Sequence, residues 1–362
     1  MNSRERVLAA LTRQPTDRVP RLLYEEVIGY TPAIERLLRQ HCAPRTPRDY
    51  FGMDITHVTF NPTSLPRERF AEWLGRDATT ALAGGEVDEW GVWWRGGEFH
   101  HFARIESPLR GLQDMARIQQ YPWPDLDQPY RFENLRERVE QWHRQGLAVT
   151  GYAGSVFERS WYIRGLEDLM MDMLTAPRTA HFFLERTATF QKHAAVQFAR
   201  AGVDIVITGD DVAGQKGLLM SLETWRQFLK PRLAATVRAV KAVSPATYIF
   251  YHSDGNVEPV IPDLIDIGID ILNPVQPECM EPAAIKHRYG DRLSFWGTVS
   301  VQRTMPLGSP QDVRAEVRAR IHEVGRGGGL ILAPAHVLGP ETPWENIVAF
   351  FEAADATPVP HH

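Results

Sequence analysis

Polar side chains stand directly after several apolar runs of this sequence, where the end of a buried strand would present them to a substrate. His252-Ser253-Asp254 follows the run TYIFY, and His336 closely follows the run GLILA. A histidine and a carboxylate two residues apart on an extended turn can point the same way. Two histidines and one carboxylate suit Zn²⁺, or another divalent metal, with one open coordination position. The spacing alone leaves open the alternative that these three side chains make ordinary hydrogen bonds at a rim.

Other strand ends carry further candidates for catalysis and substrate binding. Asp210 and Asp211 are adjacent, so their side chains should point to opposite faces, one toward the site and the other capping the next helix. Asp210 and Glu158 are the predicted acid–base groups, together with His336. The predicted substrate-binding residues are Glu25, Asn61, Tyr152, Asn273 and Gln276.

Eight short apolar runs, each followed by a loop and a helical pattern, must position these residues. Continuous apolar strands of this kind belong to a parallel sheet that is covered on both faces. Their alternation with helices predicts an α/β fold, a (β/α)8 TIM barrel with its active site at the carboxyl ends of the strands, and an open doubly wound sheet is the alternative. The runs are Val19–Tyr24, Asp54–Phe60, Ala148–Tyr152, Val203–Thr208, Thr247–Tyr251, Gly268–Leu272, Leu293–Trp296 and Gly329–Ala333.

The rest of the chain divides into helices, an insertion and a tail. The predicted helices include Ser3–Arg13, Leu222–Val243 with a kink at Pro231, and Pro310–Val324. An insertion at about residues 61–147 separates strands two and three, and two extended runs around Gly96-Gly97 predict a β-hairpin in it. Its tryptophans either line a substrate pocket or pack as hairpin core or a dimer face: Trp90, Trp93 and Trp94. We expect one barrel domain at 1–356 and a tail at 357–362.

Composition excludes several classes of protein. The 362 residues are 43% hydrophobic and 23% charged, an ordinary globular balance, and the net charge of −5 argues against a nucleic-acid binder. Two cysteines cannot form a disulfide framework or a four-cysteine zinc site, which fits a reduced cytoplasmic setting. The charged N-terminus and the lack of a long apolar run predict neither a signal peptide nor a membrane span.

Four stretches resemble the uroporphyrinogen decarboxylase superfamily over nearly the whole chain. They are RVLAALTRQPTDRVP, GDDVAGQKGLLMSLETWRQFLKPRL, YHSDGNVEPVIPDLIDIGIDILNPVQP and LILAPAHVLGPETPWENI. The superfamily also contains zinc-dependent methyltransferases that move methyl groups between corrinoid proteins and thiols. The resemblance therefore implies a (β/α)8 barrel, an enzyme, and either of two reaction classes.

Departures from the family pattern bear on the reaction. The decarboxylases carry Arg-Gln-Ala-Gly-Arg-Tyr after strand one to hold porphyrinogen carboxylates, whereas this chain has Glu25-Glu26-Val27-Ile28-Gly29-Tyr30, which would repel them. His336 falls where the decarboxylases have their late active-site histidine. The methyltransferases bind zinc through His-x-Cys and a later Cys, and His252, Asp254 and His336 take those places here. Such a harder ligand set still suits zinc and also admits iron or manganese.

The resemblance and the strand-end residues together favour a metal-dependent methyl or alkyl transferase, or a demethylase, acting on a small molecule. A corrinoid on a partner protein is the expected methyl acceptor, with no nucleic acid or membrane involved. One alternative is a metal-free decarboxylase in which His336 and Asp210 position a carboxylate substrate. The other is a corrinoid- or tetrapyrrole-binding protein without catalysis, built on the tryptophan-rich insertion. A homodimer is consistent with the family, and the sequence leaves it open.

Overall fold

The computed structural model of the chain describes residues 1–23, 29–74, 85–95 and 104–360. The strands are β1 (Ile55–Val58), β2 (Glu86–Val87), β3 (Trp93–Arg95), β4 (Arg104–Glu106), β5 (Ala148–Ser155), β6 (Ile205–Gly209), β7 (Ala213–Gly214), β8 (Gly217–Leu218), β9 (Tyr248–His252), β10 (Ile271–Asn273), β11 (Ser294–Val299) and β12 (Leu330–Pro334). The large sheet has seven parallel strands in the order β1-β5-β6-β9-β10-β11-β12.

Helices alternate with the strands of this sheet. They are α1 (Ser3–Leu11), α2 (Pro32–Cys42), α3 (Pro47–Phe51), α4 (Met115–Gln119), α5 (Leu135–Arg144), α6 (Phe157–Arg164), α7 (Leu166–Thr175), α8 (Pro177–Ala201), α9 (Leu222–Phe228), α10 (Lys230–Val243), α11 (Ile261–Ile267), α12 (Pro282–Tyr289), α13 (Thr304–Leu307), α14 (Pro310–Glu323) and α15 (Trp344–Ala356). Every residue of β6, β11 and β12 is buried. Strands that are covered on both faces must be apolar throughout, which is why the runs show no alternation.

The segment around Arg21 closes the sheet into a barrel. Arg21 forms a parallel bridge with Leu332 of β12. The Leu332 N–H donates to the Pro20 carbonyl at 2.8 Å, and on the other side the Asp54 N–H donates to the Arg21 carbonyl at 3.1 Å. The described part of the predicted first strand, Val19–Tyr24, therefore occupies its expected place, but only as a bridge, and Tyr24 lies outside the described residues. Pro20 has no N–H to extend the ladder.

Aspartates at the amino ends of the strands fasten neighbouring strands together. In each case the carboxylate of an aspartate at the start of one barrel segment accepts the backbone N–H of the segment before it. The pairs are Asp54 with Arg21 at 2.9 Å, Asp204 with Val149 at 2.9 Å, and Asp270 with Ile249 at 2.7 Å. Asp54 is wholly buried and also binds Arg6 and Arg18, each at 2.6 Å. This end of the barrel serves stability, which leaves the carboxyl end for chemistry.

The predicted barrel is confirmed, with corrections to element bounds. Leu222–Val243 is two helices rather than one kinked helix, because Pro231 lies in the first turn of α10 and the chain breaks at Leu229. In the insertion, β3 pairs antiparallel with both β2 and β4, so the predicted hairpin is present, although its Gly96-Gly97 turn lies outside the described residues. Trp93 and Trp90 are buried in the core, as in the packing alternative.

Candidate metal centre and active site

His252 ends β9 at the carboxyl mouth of the barrel, beside Gly209 of the neighbouring strand β6. A Cβ at position 209 would lie 2.6 Å from the His252 Cβ and 2.7 Å from its carbonyl oxygen. Glycine at the end of β6 is therefore what leaves room for the histidine. The side chain of His252 is 16% exposed, so it reaches solvent only through the mouth.

Asn273, at the end of β10, orients the His252 ring. Its Oδ1 lies 2.6 Å from His252 Nδ1, while its own Nδ2 donates to the Trp296 carbonyl at 2.8 Å. Because Nδ2 is committed as a donor, Oδ1 must accept from the imidazole, so Nδ1 carries the proton and Nε2 carries the lone pair. A second group that fixes the ring and tautomer in this way is typical of a metal-binding histidine.

Asp254 is held on a tight turn over the same mouth. Gly255 has φ +83°, and a Cβ there would lie 2.6 Å from the Gly214 carbonyl in the β7–β8 hairpin. The Gly255 N–H donates to Gln276 Oε1 at 3.2 Å, and the Asp254 N–H donates to Asp211 Oδ1 at 2.7 Å. Gln276, predicted to bind substrate, thus also supports the turn that carries Asp254.

His336 completes the trio from the loop after β12. Its Nε2 lies 3.8 Å from Asp254 Oδ2, and His252 Nε2 lies 3.9 Å from Asp254 Oδ1. One ligand atom from each of the three residues falls within 4.8 Å of the others. The structure thus brings together the three predicted ligands, and two imidazoles with a carboxylate form a donor set that fits Zn²⁺ with an open position.

The adjacent carboxylates Asp210 and Asp211 point in different directions. Asp210 Oδ1 accepts the backbone N–H groups of Val156, Phe157 and Glu158, at 2.8, 2.5 and 3.1 Å, at the start of α6. Asp211 instead faces the mouth, with Oδ1 3.5 Å from His252 Nε2. As expected, one of the two carboxylates caps a helix and the other faces the site, but the capped helix is the preceding α6. Asp210, predicted as an acid–base group, is engaged in capping, and Asp211 is the carboxylate beside the trio.

Glu158 lies on α6 next to this group. Its Oε1 accepts the hydroxyl of Tyr162 at 2.8 Å, one helical turn on. Burial and the charge of Asp211 raise the pKa of Glu158 to about 7. Burial and the neighbouring Asp254 likewise raise the pKa of Asp211. Burial opposes protonation of His252, but the Asp211 and Asp254 carboxylates outweigh it and raise its pKa. The cluster concentrates negative charge, which a cation or a proton relieves.

The insertion packs on the outer side of α6. Asp88 binds Arg159 at 2.8 Å and accepts the Trp94 indole N–H at 3.1 Å. Trp94 in turn meets Tyr162 edge to face, with ring centroids 5.1 Å apart. Of the three tryptophans predicted either to line a pocket or to pack, Trp94 is the one that contacts the site residues. It packs against Tyr162, whose hydroxyl donates to Glu158.

The remaining predicted substrate-binding residues have different partners in the structure. Asn61 follows β1, and its Nδ2 donates to the Tyr130 carbonyl of the insertion at 2.8 Å. Tyr152 lies on β5, where burial and the Glu158 charge raise its pKa. Asn273 reaches the site only through His252. Glu25 lies outside the described residues.

Sequence reasoning missed Tyr162 and did not place Asp211. Tyr162 stands four residues after Glu158, the spacing that brings two side chains together on one face of a helix. That spacing was the available signal for Tyr162. Asp211 could not be told from Asp210, because the pattern does not reveal on which side the strand ends.

A parallel barrel with a histidine–carboxylate cluster at its carboxyl mouth is the arrangement found in TIM-barrel enzymes. The sequence model of the uroporphyrinogen decarboxylase (URO-D) family matches residues 92–357 of this chain. The chain belongs to that family, and its relatives include both methyltransferases and decarboxylases.

Individual relatives resemble different shares of the chain. A methylcobamide:CoM methyltransferase from Methanosarcina barkeri is 29% identical over 203 residues, covering 53% of this chain and 56% of the relative. The match thus spans little more than half the length of that relative. A uroporphyrinogen decarboxylase from Coxiella burnetii is 23% identical over 376 residues, covering 96% of this chain and 94% of the relative.

Solved structures support the fold. A methyltransferase from Methanosarcina mazei superposes with a TM-score of 0.66 at 21% identity, covering 98% of each chain. None of the helices in the described ranges is both long and apolar enough to cross a membrane.

Proposed function

We propose that this chain is a metal-dependent methyltransferase that moves a methyl group between a small molecule and a corrinoid carried by a partner protein. The observation that carries the proposal is the trio His252, Asp254 and His336, whose ligand atoms lie within 4.8 Å of one another. The names of two relatives support the class, a methylcobamide:CoM methyltransferase and a methylated-thiol–coenzyme M methyltransferase.

The three residues would hold a divalent ion, with zinc the first choice. Bound there, it would supply a Lewis acid for the substrate atom that carries the methyl group. Asn273 would keep Nε2 of His252 available to the ion, and the Gly255 turn would hold Asp254 in place.

Glu158 would handle the proton of the transfer. The methyl group is transferred formally as CH3+, so the bonding pair stays on the atom that carried it. That atom must then take up a proton. Burial and the charge of Asp211 raise the pKa of Glu158, which favours a protonated carboxyl that can donate that proton. The Tyr162 hydroxyl fixes the carboxyl at 2.8 Å, and Asp210 holds the start of the helix that carries it.

Metal analysis and methyl transfer test the proposal together. Protein purified without chelator should contain one equivalent of metal, and a panel of methyl ethers and thioethers should methylate reduced cobalamin, seen in its absorbance. His252→Ala should abolish both, whereas the control His143→Ala, at the opposite end of the barrel beside Asp204, should abolish neither. No stoichiometric metal, with unchanged activity in His252→Ala, would reject the proposal.

A decarboxylase is the second candidate, because decarboxylase relatives match nearly the full length of the chain. In that reaction His336 would position a substrate carboxylate. Asp211 would be the nearby acid, since Asp210 Oδ1 is engaged by three backbone N–H groups. Release of carbon dioxide from a panel of acids that includes uroporphyrinogen, insensitive to chelator, would favour this candidate.

A further inference from the structure

One face of β5 faces the inside of the barrel, and the other faces the surrounding helices. A Cβ added to Gly151 would lie 2.4 Å from the ring of Phe198 on α8, so position 151 faces outward. Side chains alternate along a strand, so Thr150 and Tyr152 face inward.

The same reasoning places His57 of β1 inside the barrel. Its neighbour Thr56 faces outward, where Oγ1 accepts a hydrogen bond from Arg48 of α3 at 3.2 Å. His57 pairs in register with Thr150, and its Nδ1 lies 3.2 Å from Thr150 Oγ1. Both side chains therefore point into the barrel from adjacent strands.

The inner face is not fully packed at this point. His57 is half-buried although both of its neighbours on β1 are buried, and Tyr152 is half-buried on the inner face of β5. An inward-facing side chain that keeps some exposure borders on space inside the barrel or at its mouth. Tyr152 is close enough to Glu158 for the carboxylate to raise its pKa. A chamber that runs from the candidate metal centre past Tyr152 would therefore reach His57.

We propose that His57 is a substrate-binding residue at the inner end of this chamber, where its imidazole hydrogen-bonds an uncharged polar group on the end of the substrate remote from the methyl group. This inference rests on the proposed methyl transfer for its substrate class. It adds to the proposed site a residue that determines substrate specificity and is not a metal ligand.

The surroundings of His57 select an uncharged group. Within the described ranges, Thr150 is its one hydrogen-bond partner, so Nε2 is available to a ligand. Burial lowers the pKa of His57 to about 4, and no charged group contributes to that shift, so the ring is neutral at pH 7. A substrate carboxylate at this position would lose its water without gaining a cation, which is costly, whereas a hydroxyl or amide would find a partner.

A matched pair of probes separates the two cases. Methylthioethanol and methylthioacetic acid carry the same methyl thioether and differ in their hydroxyl or carboxylate end. Binding to zinc-loaded protein is measured by equilibrium dialysis without a methyl acceptor. Wild-type protein should bind the alcohol more tightly, and His57→Leu should weaken that binding about tenfold while leaving zinc content unchanged. His57→Gln, which keeps hydrogen-bonding capacity, should restore it.

The control is His193→Leu, another half-buried histidine whose pKa is lowered by burial but which lies on α8 against the insertion, and it should bind both probes as wild type does. In the transfer assay, His57→Leu should raise KM for the alcohol and leave kcat unchanged. Loss of transfer with intact His57-dependent binding would reject the proposed function alone. Equal binding of the alcohol by wild type and His57→Leu overturns this inference, as does no binding of the alcohol or tighter binding of the acid by wild type.

Discussion

Replacing Asn273 by alanine should weaken zinc binding without removing any metal ligand. The amide is wholly buried and makes two hydrogen bonds, at 2.6 Å to His252 Nδ1 and at 2.8 Å to the Trp296 carbonyl. Its removal leaves both partners unpaired, at about 1–3 kcal/mol each when buried. Loss of the hydrogen bond to His252 should lower metal affinity directly, because the imidazole ring can then rotate and change tautomer. Loss of such a supporting group costs about 10–100-fold in metal affinity.

The assay is competition for zinc with a chromophoric chelator of known affinity. Asn346→Ala is the matched control. Asn346 is also a buried asparagine with two hydrogen bonds, to the carbonyls of Met305 and Gly308, but it lies on α15 away from the centre. Both variants should lose stability in urea, and only Asn273→Ala should lose zinc affinity. Asn273→Asp, which keeps the acceptor oxygen, should bind zinc nearly as wild type does. Wild-type zinc affinity in Asn273→Ala would refute the assignment of His252 as a metal ligand that Asn273 orients through Nδ1.

Three further substitutions test other contacts. Asp210→Ala should lower the free energy of unfolding by about 2 kcal/mol in urea titration, because it removes the acceptor of three N–H groups at α6; an effect no larger than that of Asp114→Ala, which removes the cap of exposed α4, would contradict this. Folding raises the pKa of Glu158 from 4.5 to about 7, so the free energy of unfolding of chelator-treated protein should fall as pH rises through that window. Glu158→Gln should lose less stability over the same window, and parallel stability curves for the two proteins would contradict this assignment. Asp54→Ala should cost about 3 kcal/mol, because it removes the buried acceptor shared by Arg6, Arg18 and the Arg21 N–H, and zinc affinity should be unchanged; altered zinc affinity would show that the two ends are coupled.

The sequence predicts the scaffold of the site better than its contacts. Each barrel strand is a buried apolar run, so the strand ends, and therefore His252, Asp254 and His336, can be located from the order of residues alone. The contacts cannot, because they depend on which face a residue takes. Asp210 and Asp211 differ only in that respect. The role of Asn273 depends on its register beside His252, and register between parallel strands leaves no local signal.

His57 shows the same limit more sharply. It sits in the middle of the run ITHV, where a lone histidine in a strand is indistinguishable from one that faces the outer helices. Only two outward-facing neighbours, Gly151 against Phe198 and Thr56 against Arg48, reveal that it faces inward. The residues that select a substrate in such a barrel can thus lie within the strands as well as in the loops.

Charge at the centre connects the altered ligand set with the carboxylate beside it. The family resemblance implies a zinc site of two thiolates and one imidazole in the methyltransferases, which would leave no net charge on the ion and its ligands. His252, Asp254 and His336 supply one negative charge, so a divalent ion would keep one positive charge. Asp211, with Oδ1 3.5 Å from His252 Nε2, would supply the missing negative charge from outside the trio once the ion favours its deprotonated form. Asp211→Asn should therefore leave zinc bound, but more weakly, and should strengthen competition by anions such as azide, measured against the same chelator. Unchanged anion competition would show that Asp211 does not balance the ion.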